Sequence, residues 1–399
     1  MKHGLILACI TLGFGSNLYA QATTPVDVKV CDVVKKPQAF NGQIVRVKGT
    51  VVAGFDEFVI KDSIDPNCGF LVNAIWLDYP QGTKGKAGPA ALVTIQPAKN
   101  FAANLTPATR AAVTLGKSKD FKQFDSLLAQ KHEKGADLCL GCTRYEVTAT
   151  LVGRLDTVAD ATLKRDDKGK IVGFGGFGNM NAYPARLVLE SVSDVTPKEV
   201  DYSKNDDETK GGSSGGYGAG PYGAGAGNGM DLPGAVAAAK AIADKLAAGP
   251  PKDEAEKAAA IYGKAGDHST GVYFAYGAGN EASPEESGTK DSPDGILFNC
   301  TFNSDRLQGD SLARAVIHIG EHVSELRNPK PGNEAAPPYL LESDAWVVTA
   351  ISAVAGGQKY LSAPGGYVLW DSNWSAADRN DDMANAIKAY LANEAMLGQ

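Results

Sequence analysis

The sequence predicts an α+β protein of two domains: an N-terminal OB-like, five-stranded β-barrel with an inserted helix, then a C-terminal α+β domain rich in helices. Three observations carry this. Residues 43–195 hold runs that alternate apolar and polar at period two, as half-buried strands do. Beyond residue 233 alanine-rich and 3.6-period stretches take over, as in helices. Between them Gly211–Gly229 reads GGSSGGYGAGPYGAGAGNG, a run that loses much backbone entropy on ordering and buries little. The expected layout is a signal peptide over 1–22, the barrel over 26–198, a flexible tether over 199–232 and the α+β domain over 233–399.

The chain opens with Met1-Lys2-His3, an apolar run from Leu5 to Phe14 and a small-residue exit to Ala22. A positive start, a short apolar middle and a small-residue exit are the features of a secretory signal peptide. The protein is therefore expected to be exported, periplasmic or secreted. No later apolar run reaches the length needed to span a bilayer, so no transmembrane anchor is expected. Export places Cys31, Cys68, Cys139 and Cys142 in an oxidising compartment, where structural disulfides are the default and three connectivities are open. Cys300, flanked by Phe298 and Phe302, is left over as a buried thiol.

Charge is unevenly spread. Residues 201–399 carry 15 Lys+Arg against 27 Asp+Glu, which repels phosphate and excludes a nucleic-acid partner there. The first half shows only the mixed charge of an ordinary surface.

In residues 43–52 Val45, Val47 and Val51 share one face, while Arg46, Lys48 and Thr50 share the other. Ala53-Gly54-Phe55-Asp56 turns into FVIKD, and FLVNAIWLDY makes a third strand. A long insertion begins at Pro80. Within it Phe121, Phe124, Leu127 and Leu128 recur at helical spacing, with a stop at Gly135. YEVTATLVGRL and ARLVLESVSDV supply the last two strands. Three strands, a helix and two strands is the order of an OB barrel, and Gly49 suits the sharp bend its first strand needs.

The stretches VCDVVKKPQAFNGQIVRVKGTVVAGFDEF, IWLDY and GFGNMNAYPARLVLESVSDV resemble a module of uncharacterised secreted bacterial proteins, over residues 28–196. The resemblance implies an OB-like fold and an extracytoplasmic setting, and no reaction. That module often carries His after the glycine pair, where this chain has Asn179.

After the tether come helical stretches at 234–249 and 253–266, strands GVYFAYG and GILFNCTFN, and helices at 309–327, 342–356 and 376–396. GGYVLWDS is a third strand candidate.

Three motifs suggest chemistry. His318 and His322 of HIGEH stand at i and i+4, where one helix face can present both to a zinc ion, with Glu321 as the base. On a helical wheel they flank the buried stripe of Leu312, Val316, Ile319, Val323 and Leu326, where solvated histidines are common. A metal would also need a third ligand, for which Glu394 has a loosely suitable separation. The expectation is boundary histidines without metal, and no cofactor. Cys139-Leu140-Gly141-Cys142 runs into a strand, so no helix N-terminus lowers a thiol pKa for redox work. Zinc bound by these two with Cys31 and Cys68 is the other reading. Gly173–Gly178 satisfies GxGxxG, but no helix follows to receive a pyrophosphate, so it is expected to be a flexible loop.

These features lead to an exported, non-catalytic binding or scaffold protein of the cell envelope, with an unidentified envelope ligand or protein as its partner. The alternatives are a zinc-dependent hydrolase using His318, Glu321 and His322, and a thiol oxidoreductase using Cys139 and Cys142.

Overall fold

The computed structural model describes residues 24–62, 74–83, 85–97, 112–131, 143–159, 161, 164–169, 171–173, 175–200, 232–246, 248, 250–263, 270–276, 296–303, 306–329, 345, 348–349, 352, 360–362 and 368–371. The signal segment, Cys68, Cys139, Cys142, nearly all of the tether, the 376–396 helix and Glu394 lie outside them. In chain order the elements are β1 (Val26–Val28), α1 (Val30–Lys35), β2 (Ile44–Ala53), β3 (Phe58–Lys61), β4 (Ala74–Asp78), β5 (Ala91–Pro97), α2 (Lys119–Ala129), β6 (Tyr145–Thr157), β7 (Lys164–Arg165), β8 (Ile171–Gly173) and β9 (Ala185–Glu199). There follow α3 (Leu232–Ala243), α4 (Pro250–Ala260), β10 (Val272–Tyr276), β11 (Ile296–Phe302), α5 (Asp310–Arg327), β12 (Tyr360–Ser362) and β13 (Val368–Asp371).

Strands β2, β3, β4, β9 and β6 are hydrogen-bonded in that order, and β2 pairs again with β6 to close a five-stranded barrel. β4 runs parallel to β9, and the other barrel neighbours are antiparallel. β1 lies outside the ring, parallel to β2. The alternation in β2 delivers Val45, Val47 and Val51 to the interior as expected. At Gly49 a Cβ would clash with the Lys61 carbonyl, so only glycine fits this close approach of β2 to β3. Trp76, Leu151 and Leu187 fill the barrel, and α2 closes it with Phe121, Phe124 and Leu128. This helix starts under a Ser118 cap that accepts from the Phe121 N–H at 3.0 Å, and it ends at Ala129, before the expected Gly135.

A second core takes residues from both sides of the glycine run. Phe55, Val93, Ile95 and Met180 pack there with α3, α4, β11 and α5. Its sheet has the order β10-β11-β5, with β5 antiparallel to β11 from Ala91↔Phe302 to Pro97↔Ile296. β5 falls in the stretch expected to be an insertion without a strand. Its residues contribute to both cores: Leu92 joins the barrel core while Val93 and Ile95 join the second, and only the short stretch Val93-Thr94-Ile95-Gln96 alternates. The third strand of this sheet is therefore β5. The expected candidate, GGYVLWDS, instead forms β13 in a separate ribbon with β12.

Candidate metal centre

Ala53 ends β2 and Phe58 begins β3, so residues 54–57 must turn. Gly54 N–H donates to Glu57 O at 2.8 Å to close the turn. Four further bonds fasten it to the second core: Ala90 N–H to Gly54 O at 3.1 Å, Ala91 N–H to Phe55 O at 2.7 Å, and the Arg306 guanidinium to Ala53 O and Gly54 O at 3.0 and 3.1 Å. Phe55 is buried, its ring meeting His318 edge-on with centroids 4.8 Å apart. The next residue, Asp56, is half-buried on the same side of the turn as that helix.

Helix α5 has an apolar face of Leu312, Val316, Ile319, Val323 and Leu326. The opposite face carries Arg314, His318, Glu321, His322 and Glu325. Both faces are buried. His318 and His322 are each 0 % exposed, which corrects the expectation of solvated boundary histidines. Thr349, itself helical and buried, meets this polar face at His318.

The hydrogen bonds place a proton on His318 Nδ1. Thr349 has one hydroxyl proton and donates it to Ala345 O at 2.6 Å. At its 3.1 Å contact with His318 Nδ1 the hydroxyl must therefore accept, so Nδ1 carries a proton, and in the neutral ring Nε2 is the nitrogen with the lone pair. Nε2 faces His322 Nε2 at 3.1 Å. A ligand oxygen of Asp56 joins them, and the three ligand atoms lie within 4.8 Å of one another. With metal–nitrogen bonds of about 2.05 Å, two nitrogens 3.1 Å apart subtend about 98° at a shared ion, between octahedral and tetrahedral angles. A ligating histidine whose other ring nitrogen donates to a fixed protein acceptor is the usual outer-shell arrangement at metal sites.

Gly175, Gly176 and Gly178 of the glycine-rich segment are closely packed, which corrects the expectation of a flexible loop there. Side chains at Gly175 or Gly176 would collide with the carbonyls of Ala161 and Tyr183, and one at Gly178 with the Trp76 ring. A single 3₁₀ turn, Asn179–Asn181, follows. Its two asparagines dock on β5. Asn181 accepts from Ile95 N–H at 3.0 Å and donates to Ile95 O at 2.9 Å, as a neighbouring strand would. Asn179 accepts from Val93 N–H at 3.0 Å and donates to Asp56 Oδ2 at 3.1 Å.

Of the residues singled out from sequence, His318 and His322 meet in space. Glu321 is buried on the same helix face but is not among the converging ligand atoms. Cys31 is buried on α1, and the other three disulfide candidates, Cys68, Cys139 and Cys142, lie outside the described residues. Cys300 is free and buried, and burial pushes its thiol pKa well up. Asp56 and Asn179 were not expected at a site. The available signal was Phe55, a large apolar residue in a turn, which only makes sense if the turn is covered. Comparison with protein-family models, curated proteins and solved structures finds no match to this chain.

Proposed function

We propose that this chain is an exported binding protein of the cell envelope whose ligand is a divalent first-row transition ion, zinc foremost, held by Asp56, His318 and His322. The OB-like barrel is its scaffold. One observation carries the reading: the Nε2 atoms of His318 and His322 face each other at 3.1 Å beside a carboxylate, in a buried site, with His318 Nδ1 already donating to Thr349. Two imidazoles this close must share a proton or a cation, and the Asp56 carboxylate supplies negative charge for the cation. Imidazole with one carboxylate favours zinc, iron or copper over magnesium and calcium.

The OB-like identity is supported by the strand order. Numbering the five barrel strands by sequence, they close as 1-2-3-5-4-1, with the third and fifth parallel and α2 between the third and fourth. Export is supported by the N-terminal residues, and no described helix is long and apolar enough to cross a membrane.

The test is metal analysis of the purified full chain after loading with zinc and dialysis. One zinc per chain is expected, lost in His318→Ala and in Asp56→Ala. Zinc retained in both variants, or none bound by the wild type, refutes the centre. A hydrolytic reading is favoured by Glu321, which precedes the ligand His322 and is 2 % exposed beside it. A bound zinc brings a water pKa near neutrality, and a buried carboxylate next to a ligand can accept its proton. Glu321→Gln would then retain zinc and lose hydrolysis of an activated ester, whereas equal activity in both proteins rejects that role.

A further inference from the structure

We infer that Asn179 is a positioning residue of this centre, holding Asp56 as a one-oxygen ligand and thereby setting the affinity for the ion. The inference rests on the metal-centre reading above and adds to it a residue that ligates nothing.

Both ends of the Asn179 amide are committed. The Val93 N–H is a donor on β5, so it must meet the amide oxygen. The amide nitrogen is then left to donate to Asp56 Oδ2. The bond to Oδ2 restrains the carboxylate, and in the binding mode inferred here an ion is met by Oδ1 alone. The backbone that presents Asn179 is fixed with unusual stringency. Gly178, Met180 and Asn181 all have left-handed φ, at 71°, 50° and 56°. For Met180 such a conformation is strained and persists only where its surroundings impose it. Here they do, through the paired bonds of Asn181 to Ile95 and the contact of Gly178 with Trp76. β5 thus acts as the rail on which the amide is aimed, and Asn179 itself is only 5 % exposed.

Outer-shell partners of this kind are worth about 10–100-fold in metal affinity. The experiment is titration of the full metal-free chain with cobalt(II), read by its visible d–d absorption. Asn179→Ala is expected to bind cobalt about 10–100-fold more weakly and with an altered spectrum, as the freed carboxylate changes its binding mode. Ser118→Ala removes the side-chain cap of α2 on the barrel and plays no part in presenting Asn179, so its affinity and spectrum are expected to match wild type. Asn179→Asp keeps the acceptor for Val93 and lacks the donor for Asp56. It too is expected to change the spectrum. An unchanged spectrum and affinity in both Asn179 variants, or an equal loss in Ser118→Ala, overturns the assignment. Absence of any Asp56-dependent cobalt signal in the wild type is a separate result, which defeats the centre itself and the positioning role with it.

Discussion

If Asp56 supplies a ligand to a metal held on α5, then zinc stabilises the fold through Asp56, and the increment can be worked out. An ion that binds only the folded chain adds RT ln(1 + [L]/Kd), about 4.1 kcal/mol at a thousand times Kd. An outer-shell partner is worth up to about 100-fold in affinity, so loss of a ligand costs at least that much. At the same free zinc the Asp56→Ala protein would then stand at about ten times its own Kd and gain only about 1.4 kcal/mol. The zinc-induced increment therefore falls about threefold. The increment must be compared, because the variant also leaves the Asn179 amide without its acceptor, which destabilises the metal-free protein by about 1–3 kcal/mol. The assay is urea unfolding of wild type and variant, each with a chelator and with buffered zinc. Equal zinc-induced increments would show that the ion, if bound, does not use Asp56, and the bridge between barrel turn and helix would be refuted.

Thr349→Val keeps the shape of the side chain but removes the acceptor for His318 Nδ1–H, so zinc affinity is expected to fall about 10–100-fold in a direct titration. Burial raises the pKa of Asp156, but its bonds to Arg154 and Arg186 outweigh this and hold it below the usual carboxylate range. A depressed folded pKa contributes stability above the unfolded value of about 3.9 and loses it as pH falls through the folded value. Asp156→Asn is accordingly expected to cost about 2 kcal/mol at pH 7, with both arginines partly exposed to water, and the gap is expected to narrow below about pH 4 in urea titrations. Cys300, buried and with its thiolate disfavoured, is expected to resist Ellman's reagent in the native protein and to react once denaturant is added.

Strands β2 and β6 were legible in the sequence because one face of each is buried and the other partly exposed, which is what period two records, whereas β3 and β4 were legible as short apolar runs between turns. β5 was not, since its alternating stretch is short and lies inside a long insertion, and its partner β11 is far along the chain. The histidine pair was visible as a helix spacing, yet its burial was not. A wheel shows which residues share a face, and Thr349, which meets His318, lies well along the chain. Asp56 was hidden for a related reason: an aspartate in a turn is ordinary, and nothing local marks the distant helix beside it. The glycine run at 173–178 was misread as slack because glycine serves both loose and tightly packed backbone. What separates the two is the neighbour each Cβ would meet.

The centre lies where three segments converge that no local interaction brings together: the β2–β3 turn, the Asn179 turn and α5. β5 is the element common to all three. Its first residue donates to Phe55 O, Val93 N–H meets Asn179, and its whole length pairs with β11, which packs with α5 in the second core. Ligand geometry therefore depends on β5 having joined the β10–β11 sheet, so metal affinity reports on assembly of the two cores. By linkage the reverse holds as well: an ion that binds only the assembled arrangement stabilises it by the same free energy. A metal at this position couples the barrel to the helical half, even though the segment connecting them in sequence is a glycine run with little to bury.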